Sequence, residues 1–85
     1  MTAEYYTLYP NPTSGDVSII QSFEEKGTAR VTIVDFVGQV VYNKTVTFIS
    51  GKADINITDL RTGIYFVEIR NDKGKIQNFK LVLEQ

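Results

Sequence analysis

Six glycines fall at positions 15, 27, 38, 51, 63 and 74 of this 85-residue chain, one every 11 to 13 residues. A helix of average length needs about 11 residues, and interior glycine weakens it, so a chain broken at this interval has little room for helices. The breaks leave seven segments, each long enough for one strand and its share of a turn, which is the rhythm an all-β sandwich or barrel requires. The segments agree with that reading. Val17 and Ile19, Val31 and Ile33, Ile55 and Ile57, Tyr65, Val67 and Ile69, and Phe79, Leu81 and Leu83 recur at period two, with Ser18, Thr32, Asn56, Glu68 and Lys80 between them. Successive side chains of a strand point to opposite faces, so each run presents one apolar face and one wet face. β-branched and aromatic residues dominate the runs, as half-buried pleated surfaces favour.

The predicted strands are 5–9, 16–22, 29–35, 39–48, 53–58, 64–70 and 75–83. In the run 39–48, Val40, Val41, Tyr42, Val46 and Phe48 do not alternate cleanly, which points to a bulge or a change of sheet. Asn71-Asp72-Lys73-Gly74 reads as a type I turn with Gly74 left-handed, making the last two strands antiparallel neighbours. Leu60-Arg61-Thr62-Gly63-Ile64-Tyr65 has the pattern of a tyrosine corner, in which a tyrosine at the start of the sixth strand bonds backbone a few residues upstream. Seven strands with that corner favour a seven-stranded antiparallel β-sandwich of the Ig-like or fibronectin-like kind over a barrel, with no helix longer than one turn.

At 9.6 kDa the chain holds a single domain, one that hides only about 60% of its unfolded surface. Hydrophobic residues at 42% and charged residues at 22% give a globular composition rather than a disordered one. Nine basic and ten acidic side chains leave a net charge of −1, which argues against nucleic acid as a partner, because phosphate binding needs a basic excess. Residues 1–42 carry two basic and five acidic groups, and residues 43–85 carry seven and five, an asymmetry that a solvated surface explains. No cysteine is present, so disulfides and thiol chemistry are excluded. No apolar run approaches the roughly 18 residues of a spanning helix, and no membrane insertion is expected. Met1-Thr2-Ala3-Glu4 lacks the basic and apolar regions of a signal peptide. It looks like the start of a domain excised from a longer precursor.

The residues that usually carry catalysis are missing. There is no histidine or cysteine, which removes the common general base and the softer metal ligands. Ser14, Ser18, Ser22 and Ser50 lie in turn or strand contexts without a nucleophile motif. Glu24 and Glu25 adjoin, and Asp54 and Asp59 bracket a strand, but acid–base work needs two carboxylates converging on a cleft. Asp16, Asp54 and Asp59 could bind calcium between loops, though no dense Asp/Asn run supports it. No phosphate-cradling glycine loop occurs, and the tripeptides Asn43-Lys44-Thr45 and Asn56-Ile57-Thr58 match the glycosylation pattern no better than chance. The chain reads as a non-enzyme with no cofactor and no metal. Tyr5-Tyr6-Thr7-Leu8-Tyr9-Pro10-Asn11-Pro12 has two readings. It is either an edge strand ended by Pro10 and Pro12, with Asn11 starting a turn completed at Gly15, or an aromatic surface for carbohydrate or peptide.

Four stretches also carry a family resemblance. The run from Leu8 to Val17, with Tyr9, Pro10, Asn11, Pro12 and Gly15, resembles the opening motif of the Por secretion system (type IX secretion) C-terminal sorting domain. Val31–Val41, with a D-x-x-G turn ending at Gly38, is similar to the family's middle block. Leu60–Val67, with Gly63 and Tyr65, matches the third, and Phe79–Val82, with Lys80, resembles the terminal strand. The four occur in order over nearly the whole chain. The resemblance implies a non-catalytic export signal spanning 1–85, recognised by the type IX translocon and typically removed by a sortase-like protease. Its cargo passes through the periplasm of a Gram-negative bacterium and is then secreted or held at the cell surface. Structure alone accounts for Pro10, Asn11, Pro12, Gly15, Gly38, Gly63 and Tyr65. Lys80 points outward by alternation and is either a solvated edge lysine or a translocon contact. The alternative function is an Ig-like surface module that binds glycan or protein, and the oligomeric state is left open.

Overall fold

The structure, a computed structural model, describes residues 6–22 and 26–85. The Glu24–Glu25 pair and the predicted start of the first strand at Tyr5 lie outside the described residues. Seven strands follow in chain order: β1 (Tyr6–Tyr9), β2 (Asp16–Gln21), β3 (Lys26–Asp35), β4 (Val40–Ile49), β5 (Lys52–Asn56), β6 (Gly63–Asn71) and β7 (Ile76–Leu83). No helix occurs among the described residues. Every strand pair is antiparallel, in the order β1-β2-β5-β4-β3-β6-β7. This is the all-β, seven-stranded antiparallel architecture expected from the glycine spacing, and it is consistent with an Ig-like sandwich.

The two layers are one continuous sheet folded over. β4 meets β5 only at Ile49 and Lys52, across Ser50 and Gly51. β1, β2 and β5 therefore form one layer and β4, β3, β6 and β7 the other. Alternation supplies the core between them, with Val17 and Ile19, Val31 and Ile33, Ala53 and Ile55, Val67 and Ile69, and Leu81 and Leu83 all buried. Tyr6 of β1 stacks on Phe48 of β4 across the layers, ring centroids 5.6 Å apart. The irregular run expected in β4 is a bulge. Ile33 pairs with Tyr42 but Val34 with Val40, leaving Val41 as the extra residue.

The first and last strands of the sheet then meet along a seam, which gives the molecule a nearly closed, barrel-like cross-section. The Gln77 side chain accepts from Tyr6 N (3.0 Å) and donates to Tyr6 O (3.1 Å). Farther along, Asn11 Nδ2 donates to Lys80 O (2.6 Å) and Asn11 Oδ1 accepts from Val82 N (3.0 Å). Thr13 completes the seam as a parallel bridge to Leu83, donating its N–H to Val82 O (2.9 Å) and accepting from Glu84 N (2.8 Å). Asn11 therefore departs from its expected role as the start of a turn. The turn belongs to Thr13, whose buried hydroxyl donates to Asp16 O (2.7 Å) and accepts from Gly15 N (3.0 Å). Gly15 follows at φ 143°, and a Cβ there would overlap the Thr58 methyl, so the close approach of this turn to the β5–β6 loop requires glycine.

The seam makes a graded prediction. Asn11→Ala removes both bonds and should cost about 1 kcal/mol, whereas Asn11→Asp keeps an acceptor for Val82 N but replaces the donor with a carboxylate oxygen facing the Lys80 carbonyl, and should cost about 2 kcal/mol. Urea unfolding of the three proteins checks the order, and equal midpoints would show that the seam contributes no stability.

Candidate recognition surface

The residues singled out by motif gather mostly at one end of the β4-β3-β6-β7 layer. Register explains why. Asp35 at the end of β3 lies opposite Tyr65, Tyr65 opposite Leu81, and Phe66 opposite Lys80. The β3–β4 turn, the start of β6, the second half of β7 and the Asn11–Thr13 clasp are therefore neighbours. Gly15 lies apart, against Thr58. Tyr9 ends β1 and is half-exposed, while Pro10 and Pro12 flank the clasp, both after cis peptide bonds.

Tyr65 forms the expected corner. Its ring is buried and its hydroxyl donates to Arg61 O at 2.6 Å. That bond ties the β5–β6 loop to β6 and fixes Arg61 and Thr62 at the rim of the layer. The same loop is held from the far side by Gln85, whose Nε2 donates to Thr58 O (3.0 Å) and Leu60 O (2.6 Å) and whose N–H donates to Thr62 Oγ1 (3.1 Å). Gly63 opens β6 with an ordinary backbone, and a Cβ there would meet only Arg61 O and Tyr65 Cε2 at 3.9 Å. The turn expected at Gly63 therefore sits upstream, where Leu60 N donates to Ile57 O (3.0 Å).

Gly38 closes the β3–β4 turn at φ 91°. Its N–H donates to Asp35 O (3.0 Å), Asp35 N donates to Gln39 O (3.0 Å), and Asp35 Oδ1 accepts from Val37 N (3.1 Å) and Gln39 N (2.9 Å). The β6–β7 turn repeats this pattern. Gly74 N donates to Asn71 O (3.1 Å), Asn71 N to Lys75 O (2.9 Å), and Asn71 Oδ1 accepts from Lys73 N and Lys75 N, both at 2.9 Å. In each, a short Asx side chain holds two amides and a left-handed glycine returns the strand.

Between the first of these turns and β6 lies an open groove of about 690 Å³, lined by Phe36, Val37, Arg61, Ile64, Phe66 and Lys80 among others. Lys80 is exposed, as alternation predicted, and lies opposite Phe66 on the outer face. Phe79 points inward opposite Val67 but is only partly buried, because β7 is the last strand of its layer. Sequence reasoning did not single out Phe36, Val37, Ile64 or Phe66. The available signal was two large apolar residues at the centre of a tight turn, where polar ones prevail.

Among the described residues, no group of three His, Cys, Asp or Glu side chains could hold a metal ion. Asp16 Oδ1 accepts from Asn56 Nδ2 (2.7 Å) and Asp54 Oδ1 from Ser18 Oγ (2.6 Å), so both carboxylates serve strand pairing in the β2–β5 layer. Burial pushes the Tyr42 phenol above its usual value, but Tyr42 lies on β4 opposite Ile33, away from the groove.

The profile of the secretion system C-terminal sorting domain matches residues 7–84, nearly the whole chain. The chain belongs to that family. No curated protein sequence matches it. Membership makes this domain a C-terminal sorting signal of type IX secretion, a class that is generally non-catalytic. It implies interaction with the type IX machinery and export to the cell surface or medium. Within the sorting domain, Tyr65→Phe should cost about 1 kcal/mol by deleting the corner bond. Thermal unfolding checks this, and an unchanged melting temperature would remove the corner from the stability argument.

Proposed function

We propose that this sorting domain is read by the type IX translocon as a folded unit, and that the signal lies on its surface rather than in a linear tail. Cargo ahead of it crosses to the periplasm of a Gram-negative bacterium by a separate amino-terminal signal and is then carried through the outer membrane. A sortase-like protease at the cell surface removes the domain and leaves the cargo attached to anionic lipopolysaccharide. The observation that carries the reading is the join between the motif blocks. The opening motif, through Asn11 and Thr13, is hydrogen-bonded to the terminal motif at Lys80, Val82 and Glu84. Four short blocks scattered along the sequence thus become one folded object. Among the motif residues, Lys80 and Tyr9 are the two whose side chains the fold does not use, and we assign them to recognition. Pro10, Asn11, Pro12, Gly15, Gly38, Gly63 and Tyr65 serve by shaping the surface.

The test is a fusion of the domain behind a passive reporter carrying a periplasmic signal. Surface reporter is expected only in cells with a working type IX translocon, and a tag placed after Gln85 should be absent from the anchored product. Phe79→Ala, by opening a partly lined cavity, should cost about 2 kcal/mol and lower export in proportion to the unfolded fraction. Lys80→Ala should leave stability unchanged and still reduce export. Retention of the intact fusion in the periplasm of competent cells would contradict the sorting assignment and favour a binding module for glycan or protein.

A further inference from the structure

The two Asx–Gly turns form an internal control. Their backbone hydrogen bonds are the same, so the fold asks the same of the two central residues in each. At the β6–β7 turn those residues are Asp72 and Lys73, ordinary solvated turn residues. At the β3–β4 turn they are Phe36 and Val37, which are 78% and 74% exposed. Turn geometry therefore does not account for the apolar pair, and neither does the core, since neither side chain reaches it. Their surroundings continue the pattern. Register sets Val40, Val34 and Phe66 side by side across three strands on the outer face, ending at Lys80 of β7, with Ile64 one row nearer the turn. Five of the exposed large apolar side chains, Phe36, Val37, Val40, Ile64 and Phe66, fall in this one patch. An exposed cluster rimmed by charge is the signature of a docking site.

The rim specifies the partner's charge. Lys80 and Arg61 border the groove, and no ion pair or hydrogen bond engages either side-chain cation among the described residues. The one carboxylate lining the groove, Asp35, has Oδ1 committed to two turn amides, and Glu68, on the same face of β6, sits one row farther along, opposite Asn78. Two unpaired cations beside an apolar cleft suit an acidic partner, because complementary charge steers encounter and sets register while the apolar centre supplies affinity.

We propose that the groove between the Asp35–Gln39 turn and β6 is the surface by which this domain docks on the export machinery, and that its occupant is a segment of a translocon subunit that inserts an apolar side chain against Phe36 and Phe66 and presents carboxylates to Lys80 and Arg61. The inference rests on the sorting function proposed above. It places the signal in the β3–β4 turn and the adjoining face, with Lys80 as its charged edge.

The double variant Phe36→Asp/Val37→Lys tests it, because it installs the residues that the β6–β7 turn already carries. Its melting temperature should stay within a few degrees of the parent. In the reporter fusion, surface display should fall at least ten-fold, with the reporter accumulating in the periplasm. Arg61→Glu/Lys80→Glu, which reverses the rim charge, should fall similarly while remaining folded. Asp72→Ser/Lys73→Ser, at the opposite end, should be displayed like the parent. Loss of display by the unaltered fusion would overturn the sorting reading itself. Normal display of a folded Phe36→Asp/Val37→Lys fusion would overturn the docking site alone. If that variant instead converts a dimeric domain to a monomer without affecting display, the groove joins two copies of this chain and the proposed occupant is wrong.

Discussion

Two polar side chains and one backbone bridge hold the last strand against the amino-terminal segment. Gln77 grips the backbone of Tyr6, Asn11 grips β7 at Lys80 and Val82, and Thr13 adds a backbone bridge at Leu83. A folded-over sheet has two terminal strands with unpaired edges, and such edges both cost stability and invite pairing with other chains. Here each terminal strand satisfies part of the other. The core can then be thin, because Leu81 and Leu83 are held over it from both sides, by β6 through the ladder and by the Asn11–Thr13 segment through the seam. A domain of this size has little other means of retaining a terminal strand, having no disulfide and only a small core.

The seam also organises the surface. Asn11 binds the carbonyl of Lys80 itself, so the same contact that closes the sheet sets the strand position from which the lysine projects. One turn of the sheet away, the Tyr65 hydroxyl fixes the loop that carries Arg61, and the Asp35 carboxylate fixes the turn that carries Phe36 and Val37. Lys80, Arg61, Phe36 and Val37 are thus each mounted on a segment fixed by a hydrogen bond. A partner meets a preformed surface, and little ordering free energy is spent on association.

Much of this was legible in the sequence because it is local. Period-two alternation placed the strands within a few residues, the Asx–Gly spacing gave the β6–β7 hairpin, and the irregular run in β4 marked its bulge. The tyrosine corner was readable because donor and acceptor lie four residues apart. Gly27 misled, since it sits inside β3 opposite Phe48 rather than at a turn, and the strand begins at Lys26 instead of residue 29. Gly63 misled similarly, as the first residue of β6. The role of Asn11 was hidden for a different reason. Its partners are 69 and 71 residues away, and an Asn between two prolines looks locally like a turn. Gln77 gave no signal at all, since a glutamine on an edge strand ordinarily meets solvent. The docking groove was half visible: the D-x-x-G motif was recognised, but only the fold shows that the two residues within it extend an apolar row from a neighbouring face.

Native-state amide hydrogen exchange at Val82, Glu84 and Thr13 tests most directly whether the seam is part of the cooperative fold. These three amides donate only to the opposite side of the seam. If closure is integral, they exchange with the same free energy as the amides of Val31 and Val67 in the central strands, and Asn11→Ala accelerates Val82 above the others. If they exchange orders of magnitude faster than the central strands while those remain protected, the seam opens independently, β7 is held by β6 alone, and the closed fold described here is not the stable form of the domain.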